Sequence, residues 1–336
     1  MDPDAARSID RVPHGSTTAS DVIDFSANTN PRTPDGTRAV YVTALETARS
    51  YPPEPPSTYR AEAAMYVGCD PEDVVPTPGG LAAIRLAIGL AIDPGDTVLV
   101  PRPSFGEYAR EVRLHGADPE FVDANRILEA DPAEHGLAIV CTPNNPTGTA
   151  SDPDALRSFA RQCREADTLL LVDEAFLDFT DRPSMAGAPG VVVARSLTKM
   201  FGLPGLRVGF AVARGAHGEA LAAARRPWNV GAPALAVGTH AMRQREFVTE
   251  TRRRVAAERE RMRTALEPRF GVSPSDAPFL LLDAGDRDVD DLLAHAREAG
   301  LVLRDARTFG GLGTHVRVAV RLPAENDRLL EVLGRD

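Results

Sequence analysis

Short apolar runs alternate with segments of helical spacing over most of the chain from about residue 70 onward. Apolar runs bounded by turn residues predict buried strands, and they cover 97–101, 138–142, 168–172, 191–195 and 208–213. Apolar residues at helical spacing predict helices over 81–92 and 153–166, the second opened by the cap signal Ser151-Asp152-Pro153. This alternation predicts an α/β fold, with a mostly parallel sheet between helices on both faces.

The pattern also divides the chain into three parts. Residues 1–35 are mostly polar and predict an N-terminal arm, and residues 36–245 predict a large domain that includes a proline-rich break at 50–57. Residues 246–268 combine many charges with apolar residues at helical spacing, which predicts a long linking helix. That helix opens a small C-terminal α/β domain over 246–336.

Composition excludes several classes of protein. The net charge of −10 argues against a nucleic-acid-binding protein, which needs a basic surface. No apolar stretch reaches the roughly 18 residues that span a bilayer, so we expect no membrane partner. The polar N-terminus lacks the apolar segment of a signal peptide, which predicts a cytoplasmic protein. The three cysteines have no CxxC spacing and are expected to be buried thiols; no metal site is predicted.

Lys199 is the only lysine among 38 basic side chains. An arginine is always charged and cannot form a Schiff base, whereas a lysine amine can lose its proton and attack a carbonyl. Lys199 is therefore a candidate for chemistry that only an amine performs, although one lysine can also escape a compositional bias by chance.

Several polar residues follow predicted strands, where ligands gather in open α/β sheets. Asn145 lies in the turn TPNNPTG, and Asp173 closes the apolar strand of LVDEAF. A buried carboxylate needs a cationic partner, which is either a protonated ring nitrogen on a cofactor or a structural ion pair. Phe105 follows another strand and can cover a planar ring, with core packing as the alternative.

A second set of residues is suited to phosphate. Residues 195–209 read RSLTKMFGLPGLRVG, in which Ser196 and Thr198 offer hydroxyls and Arg207 a guanidinium fork. The glycine pair of PTPGGLA precedes a predicted helix, so the backbone N–H groups of Gly80 and Leu81 can face an anion at its positive end.

Taken in order over nearly the whole chain, these motifs resemble the fold-type I pyridoxal-phosphate enzymes of the aminotransferase class I/II branch. The resemblance implies that Lys199 carries pyridoxal 5'-phosphate as a Schiff base and that Asp173 pairs with the ring nitrogen, which makes the ring an electron sink. Asn145 would bind the ring 3-oxygen and Phe105 would stack on the ring. The phosphate would be held by Gly80, Leu81, Ser196, Thr198 and Arg207, and by Tyr51 of a neighbouring subunit in a homodimer.

Further stretches indicate the substrate. HG at 14–15, DFSANTNP at 24–31 and RPWNVGA resemble the branch that decarboxylates L-threonine O-3-phosphate to (R)-1-amino-2-propanol O-phosphate for cobalamin biosynthesis. The alternative is the sibling branch of histidinol-phosphate aminotransferases. Phe176 supports the first, because it stands where many aminotransferases have a tyrosine whose hydroxyl contacts the ring 3-oxygen. A small phosphorylated amino-acid substrate is expected in either case.

The same resemblance implies four substrate-binding residues. Arg317 matches an arginine that binds the substrate carboxylate, and Arg321 shares its strand face by period-two alternation and is predicted to reach the substrate phosphate. His14 and Asn30 resemble arm residues that close over the substrate, although His14 can also be a solvated side chain. A nicotinamide dehydrogenase is excluded, because no GxGxxG follows the first strand.

Overall fold

The computed structural model describes residues 1–17, 19 and 21–334. In that part of the chain the strands are β1 Ile23–Asp24, β2 Val74–Thr77, β3 Thr97–Arg102, β4 Asp118–Asp123, β5 Leu137–Cys141, β6 Leu169–Asp173, β7 Val191–Ser196, β8 Gly209–Val212, β9 Gly271–Val272, β10 Phe279–Asp283, β11 Leu301–Val302, β12 Arg304–Asp305 and β13 His315–Ala319. The helices are α1 Pro3–Ser8, α2 Thr37–Thr47, α3 Ser57–Val67, α4 Gly80–Ala91, α5 Glu107–Leu114, α6 Pro153–Glu165, α7 Gly215–Ala224, α8 Ala232–Arg243, α9 Arg245–Leu266, α10 Val289–Glu298 and α11 Pro323–Gly334.

A seven-stranded sheet in the order β2-β8-β7-β6-β5-β3-β4 forms the centre of the molecule. Strands β4, β3, β5, β6 and β7 are parallel neighbours, whereas β8 runs antiparallel to both β7 and β2. The predicted α/β fold with a mostly parallel sheet is confirmed.

Helices cover both faces of this sheet. Alternate strand residues point to opposite sides: Val172 and Val193 pack in one core with Tyr59 of α3 and Phe159 of α6. Leu171 and Val192 pack in a second core with helices α4, α5 and α7. The predicted helices over 81–92, 153–166 and 246–268 correspond to α4, α6 and α9.

Sequence analysis missed the two edge strands of the sheet, β2 and β4. Each contains a proline, Pro76 in β2 and Pro119 in β4, and proline removes a backbone donor from a strand. Strand β4 is also largely polar and exposed, since only one of its edges is paired. A proline and polar residues are tolerated at an edge, where they also discourage pairing with other chains.

The C-terminal part forms a second, antiparallel sheet in the order β12-β13-β10-β9. The N-terminal arm contacts both parts of the molecule. The N–H of Asp2, just before α1, donates to the carbonyl of Leu114 at the end of α5 (2.7 Å), and β1 pairs in parallel with β11. The predicted domain boundaries remain predictions. No helix among the described residues has the length and apolar character needed to cross a membrane.

Candidate functional site

A cavity of about 430 Å³ opens at the edge of the sheet where β5, β6 and β7 end. Parallel strands end at the same edge, so residues far apart in sequence meet there. Because β8 is antiparallel to β7, the connection between these two strands also stays at this edge. The predicted residues that line the cavity are His14, Gly80, Leu81, Phe105, Asn145, Asp173, Ser196, Thr198, Lys199, Arg207 and Arg317.

Lys199 follows β7, and its backbone carbonyl accepts a hydrogen bond from the N–H of Asn30 (3.0 Å). Burial, together with the positive charges of Arg317 and Arg207, lowers the pKa of its amine to about 8, although Asp173 opposes the shift. An amine with this pKa is neutral in about a tenth of the molecules at pH 7, far more than for an ordinary lysine with a pKa of about 10.4. The neutral amine is the form that attacks a carbonyl.

Asp173 is the last residue of β6, and its carboxylate is buried. One oxygen accepts from the hydroxyl of Tyr108 (2.6 Å), and the other accepts from the N–H of Ala175 (2.9 Å). Burial raises the pKa of the Asp173 carboxyl, against these hydrogen bonds and the charge of Lys199. A cationic ring nitrogen beside this carboxylate would stabilise its charged form.

Tyr108 was missed by sequence analysis, although it lies in PSFGEY three residues after Phe105. The two rings pack edge to face at 5.6 Å, and the ring of His14 lies 5.8 Å from Phe105. Phe105 lies just before α5 and Tyr108 in its first turn, and the N–H of Tyr108 donates to the carbonyl of Phe105 (3.1 Å), which keeps the two residues side by side. Because Tyr108 binds Asp173, it fixes the carboxylate while Phe105 faces the cavity.

The start of α4 forms a cradle for an anion. Among the described residues no side chain caps α4, so its first N–H groups are available, and the hydroxyls of Ser196 and Thr198 lie 2.7 Å apart beside it. The guanidinium of Arg207 lies over Gly79, where a Cβ atom would come within 2.6 Å of its Nη2. The φ of +87° at this position favours glycine, and a side chain there would also push the Arg207 guanidinium out of its place. Backbone donors, hydroxyls and a guanidinium together suit a phosphate group.

Arg317 is buried, and its two Nη atoms donate to Oδ1 of Asn145 and to the carbonyl of Ser26. Its Nε has no partner, and no carboxylate of the described chain pairs with it. Burial, with the charge of Arg304, lowers the pKa of Arg317 to about 9. A buried guanidinium without a counter-ion is strongly disfavoured unless an anion binds beside it.

Arg304 is a second cavity residue that sequence analysis missed. It lies opposite Arg317 in the register of β12 and β13, and it donates to the carbonyl of Pro13 (2.6 Å) and to the hydroxyl of Thr308 (2.8 Å). Arg304 has no carboxylate partner in residues 1–17, 19 and 21–334 either. Strand β12 is only two residues long, and so short a strand leaves no pattern from which its pairing can be read.

Arg321 does not reach the cavity, so its predicted contact with the substrate is not supported. It donates to the carbonyl of Asp24 (3.0 Å) and to the carboxylate of Glu325 (2.9 Å). The predicted alternation is correct in one respect: Arg317 and Arg321 both face the N-terminal arm, since Arg317 donates to the carbonyl of Ser26. Strand β13 nevertheless ends at Ala319, and the charge of Arg321 is already paired.

Asn30 also lies outside the cavity lining, because its side chain is buried and already hydrogen-bonded. Its amide donates to the carbonyl of Met200 (2.9 Å), and its oxygen accepts from Arg254 (2.8 Å). With its backbone bond to Lys199, this makes Asn30 a support of the lysine loop instead of a substrate ligand.

Three further residues complete the description. Tyr51 is 77% exposed and packs against Trp228 with the rings tilted and their centres 4.5 Å apart. It lies away from the cavity of its own chain, so its contact with a partner subunit stays a prediction. Nε2 of His14 lies 3.1 Å from Glu107 at the cavity. Phe176 is buried, lines the cavity and packs edge to face on Phe279 at 5.2 Å.

Comparisons with known proteins confirm the predicted fold of type I pyridoxal-phosphate transferases. A family model described as aminotransferase class I and II matches residues 20–333. Histidinol-phosphate aminotransferase 2 of Archaeoglobus fulgidus is 31% identical over 326 residues, covering 93% of this chain and 92% of that protein. L-threonine-O-3-phosphate decarboxylase from Porphyromonas gingivalis has a similar structure, with a TM-score of 0.84 and 26% identity over 92% of this chain and 98% of that one. Histidinol-phosphate aminotransferase from Sinorhizobium meliloti, solved in complex with pyridoxal-5'-phosphate, gives a TM-score of 0.85 at 20% identity over 99% and 97%.

Replacing Lys199 by arginine keeps a positive charge and removes the only side-chain amine. We expect wild-type protein treated with pyridoxal phosphate and borohydride to carry the reduced cofactor on the peptide that contains Lys199, and Lys199→Arg to carry none there. Mass spectrometry of the digested protein measures this. Absence of reduced cofactor from the Lys199 peptide of the wild-type protein would contradict the assignment.

The lowered pKa of Lys199 predicts a pH dependence of cofactor attachment. In cofactor-free protein the rate constant for attachment should rise with pH through about 8, because the amine loses its proton in that range. In Arg317→Met the midpoint should move upward, since a neighbouring positive charge is removed. The attachment rate constants of wild type and Arg317→Met are measured by stopped-flow absorbance at each pH. Because the ionisations of the cofactor are the same for both proteins, a difference in midpoint reports the ionisation of Lys199. Identical midpoints would contradict the electrostatic explanation.

Proposed function

We propose that this chain, which belongs to the aminotransferase class I and II family and is a pyridoxal-phosphate enzyme, acts on a small amino compound that carries a phosphate group. The observation that carries the proposal is the pair Arg304 and Arg317, which face one cavity without a carboxylate partner in the described chain. Two guanidinium groups fixed by backbone carbonyls suit a substrate with two anionic groups, or two substrates that use the site in turn.

The cofactor itself occupies the other end of the cavity in this proposal. When bound, pyridoxal phosphate withdraws electrons from the α-carbon of the substrate. Lys199 would hold the cofactor covalently, Asp173 would stabilise its protonated ring nitrogen, and Asn145 would donate to its ring oxygen. Its phosphate would be held in the cradle at the start of α4 by the residues predicted from the sequence. Free Lys199, with its lowered pKa, can hold or move a proton at the substrate α-carbon.

The substrate lies at the end lined by the arm. We assign the substrate phosphate to Arg304, because its neighbours Thr308 and His14 add a hydroxyl and a ring nitrogen at the same side of the cavity. Arg317, which contacts Asn145 directly, lies nearer the cofactor and is assigned a carboxylate. Arg304 thus takes the role that sequence analysis gave to Arg321.

Transfer of the amino group from histidinol phosphate is the reaction we place first, because the sequence relatives are histidinol-phosphate aminotransferases. This reaction removes the α-proton, and Lys199 is the group able to accept it. In the second half of the reaction Arg317 would bind the carboxylate of the amino acceptor, since histidinol phosphate has none.

Decarboxylation of L-threonine O-3-phosphate is the second candidate, and Phe176 favours it. Phe176 lines the cavity and offers no hydroxyl, as the resemblance to that branch predicts. The substrate carries a phosphate and a carboxylate together, which matches Arg304 and Arg317 in a single binding event. The similarity to the Porphyromonas gingivalis enzyme supports this candidate as well.

We also propose a homodimer. Tyr41, Val42 and Leu45 of α2 are exposed, as are Tyr51 and Trp228. Scattered exposed apolar residues are ordinary, but several large ones on one helix and a nearby pair suggest an interface. A second copy on this surface would bury the side chain of Tyr51, which the resemblance assigns to the partner's cofactor phosphate.

One pair of assays decides between the two reactions. The holoenzyme is incubated with L-threonine O-3-phosphate while carbon dioxide is measured, and separately with histidinol phosphate and 2-oxoglutarate while glutamate is measured. We expect glutamate from the second reaction if the first candidate is correct. Carbon dioxide without glutamate would favour the decarboxylase over the aminotransferase. Failure to form either product would overturn the proposal of a phosphorylated substrate.

Arg304→Gln should raise the KM for the phosphorylated substrate roughly tenfold to a hundredfold, because a hydrogen bond between charged groups is lost. Arg321→Gln is the matched control: it removes the same charge from an arginine that already binds Glu325 and the arm. We expect it to change KM little in steady-state assays of both variants. An equal rise in KM for both would contradict the assignment of the phosphate to Arg304.

A further inference from the structure

A second cavity, of about 260 Å³, lies between the end of α3, the start of α9 and the segment that follows β6. It shares no lining residue with the first cavity. Four arginines line it, namely Arg182, Arg195, Arg245 and Arg252, together with one carboxylate, Asp178. We call it the arginine pocket. Its positive character contrasts with the net charge of −10 of the whole chain.

The carboxylates near the arginine pocket neutralise only part of this charge. Arg195 is buried between Glu174 and Asp178, which take up its charge. Arg182 lies 3.9 Å from Asp276. The four guanidinium groups thus face three carboxylates. Arg245 and Arg252 have no carboxylate partner within the described chain, so the pocket keeps a net positive charge.

The two unpaired arginines are held in fixed orientations. Arg245 donates to the carbonyls of Met65 (2.9 Å) and Tyr66 (3.2 Å), and its guanidinium lies 4.4 Å from the centre of the Tyr66 ring. Nε of Arg252 donates to the carbonyl of Asp178 (3.2 Å). Neither Nη atom of Arg252 has a partner among the described residues. A guanidinium anchored through Nε presents its Nη donors as a ready site for an oxyanion.

We propose that the arginine pocket binds a tetrahedral oxyanion of the phosphate type, held between Arg245 and Arg252. The proposal is independent of the reaction catalysed in the first cavity. It has a structural consequence, because Asp178 and Arg195 connect the pocket to Glu174 and Ser196. Glu174 follows Asp173, and Ser196 lines the first cavity, so a bound anion would brace the ends of β6 and β7 beneath it.

The test is calorimetric titration of the holoenzyme with inorganic phosphate, in chloride at constant ionic strength. We expect a binding event that weakens about tenfold or more in Arg252→Gln, since at least one charge-assisted hydrogen bond is lost. Arg253→Gln is the matched control, because Arg253 is the next residue of α9, is exposed and does not line the pocket. It should change the affinity by less than about twofold. Equal affinities in Arg252→Gln and wild type would overturn the proposal.

A second measurement guards against a misfolded variant and against phosphate bound in the first cavity. Crystals of the wild-type holoenzyme soaked in selenate should show an anomalous peak between Arg245 and Arg252. A phosphate monoester added in competition should remove that peak if the pocket accepts an organic phosphate, and should leave it if only the free ion fits. No peak at this place would overturn the proposal, whatever the reaction assays show.

Discussion

Positive charge held partly out of water around one cavity is the constraint on which this site depends. The cavity is lined by Lys199, Arg207, Arg304 and Arg317, and Asp173 is the only carboxylate among the described residues that line it. Removing charges from water is costly unless other groups compensate. Here backbone carbonyls and the amide oxygen of Asn145 accept hydrogen bonds from the guanidinium groups and offset part of this cost. The rest of the positive charge can be compensated by bound anions. The same constraint lowers the pKa of Lys199, which gives the amine its reactive form.

The N-terminal arm is the partner that makes this arrangement possible. Its carbonyls at Pro13 and Ser26 accept hydrogen bonds from Arg304 and Arg317. Carbonyl oxygens orient guanidinium groups without neutralising them, in contrast to carboxylates. The arm therefore forms a wall of the cavity and leaves its positive charge available.

The cofactor end of the site could be predicted because its residues lie in contiguous motifs beside strong strands. Lys199, Asp173 and Asn145 each follow a buried apolar run, and runs of that kind identify strand ends directly. The substrate end could not be predicted to the same degree. Arg304 depends on a two-residue strand, and Arg321 lies past the end of β13, where alternation no longer determines which group a side chain meets. Edge strands β2 and β4 were not predicted for a related reason, since their prolines and the polar residues of β4 weaken the apolar pattern that identifies a strand.

The presence of a single lysine determines where chemical modification of amines can occur in this protein. Acetylation, carbamylation, glycation and the amine-directed labels used in the laboratory all act on amines, and apart from the α-amino group the chain offers them only Lys199. That amine lines the cofactor cavity. Side-chain amine modification therefore cannot accumulate on the protein surface. With Lys199 in the role proposed for it, each such event would remove one active site, and a bound cofactor would shield the amine.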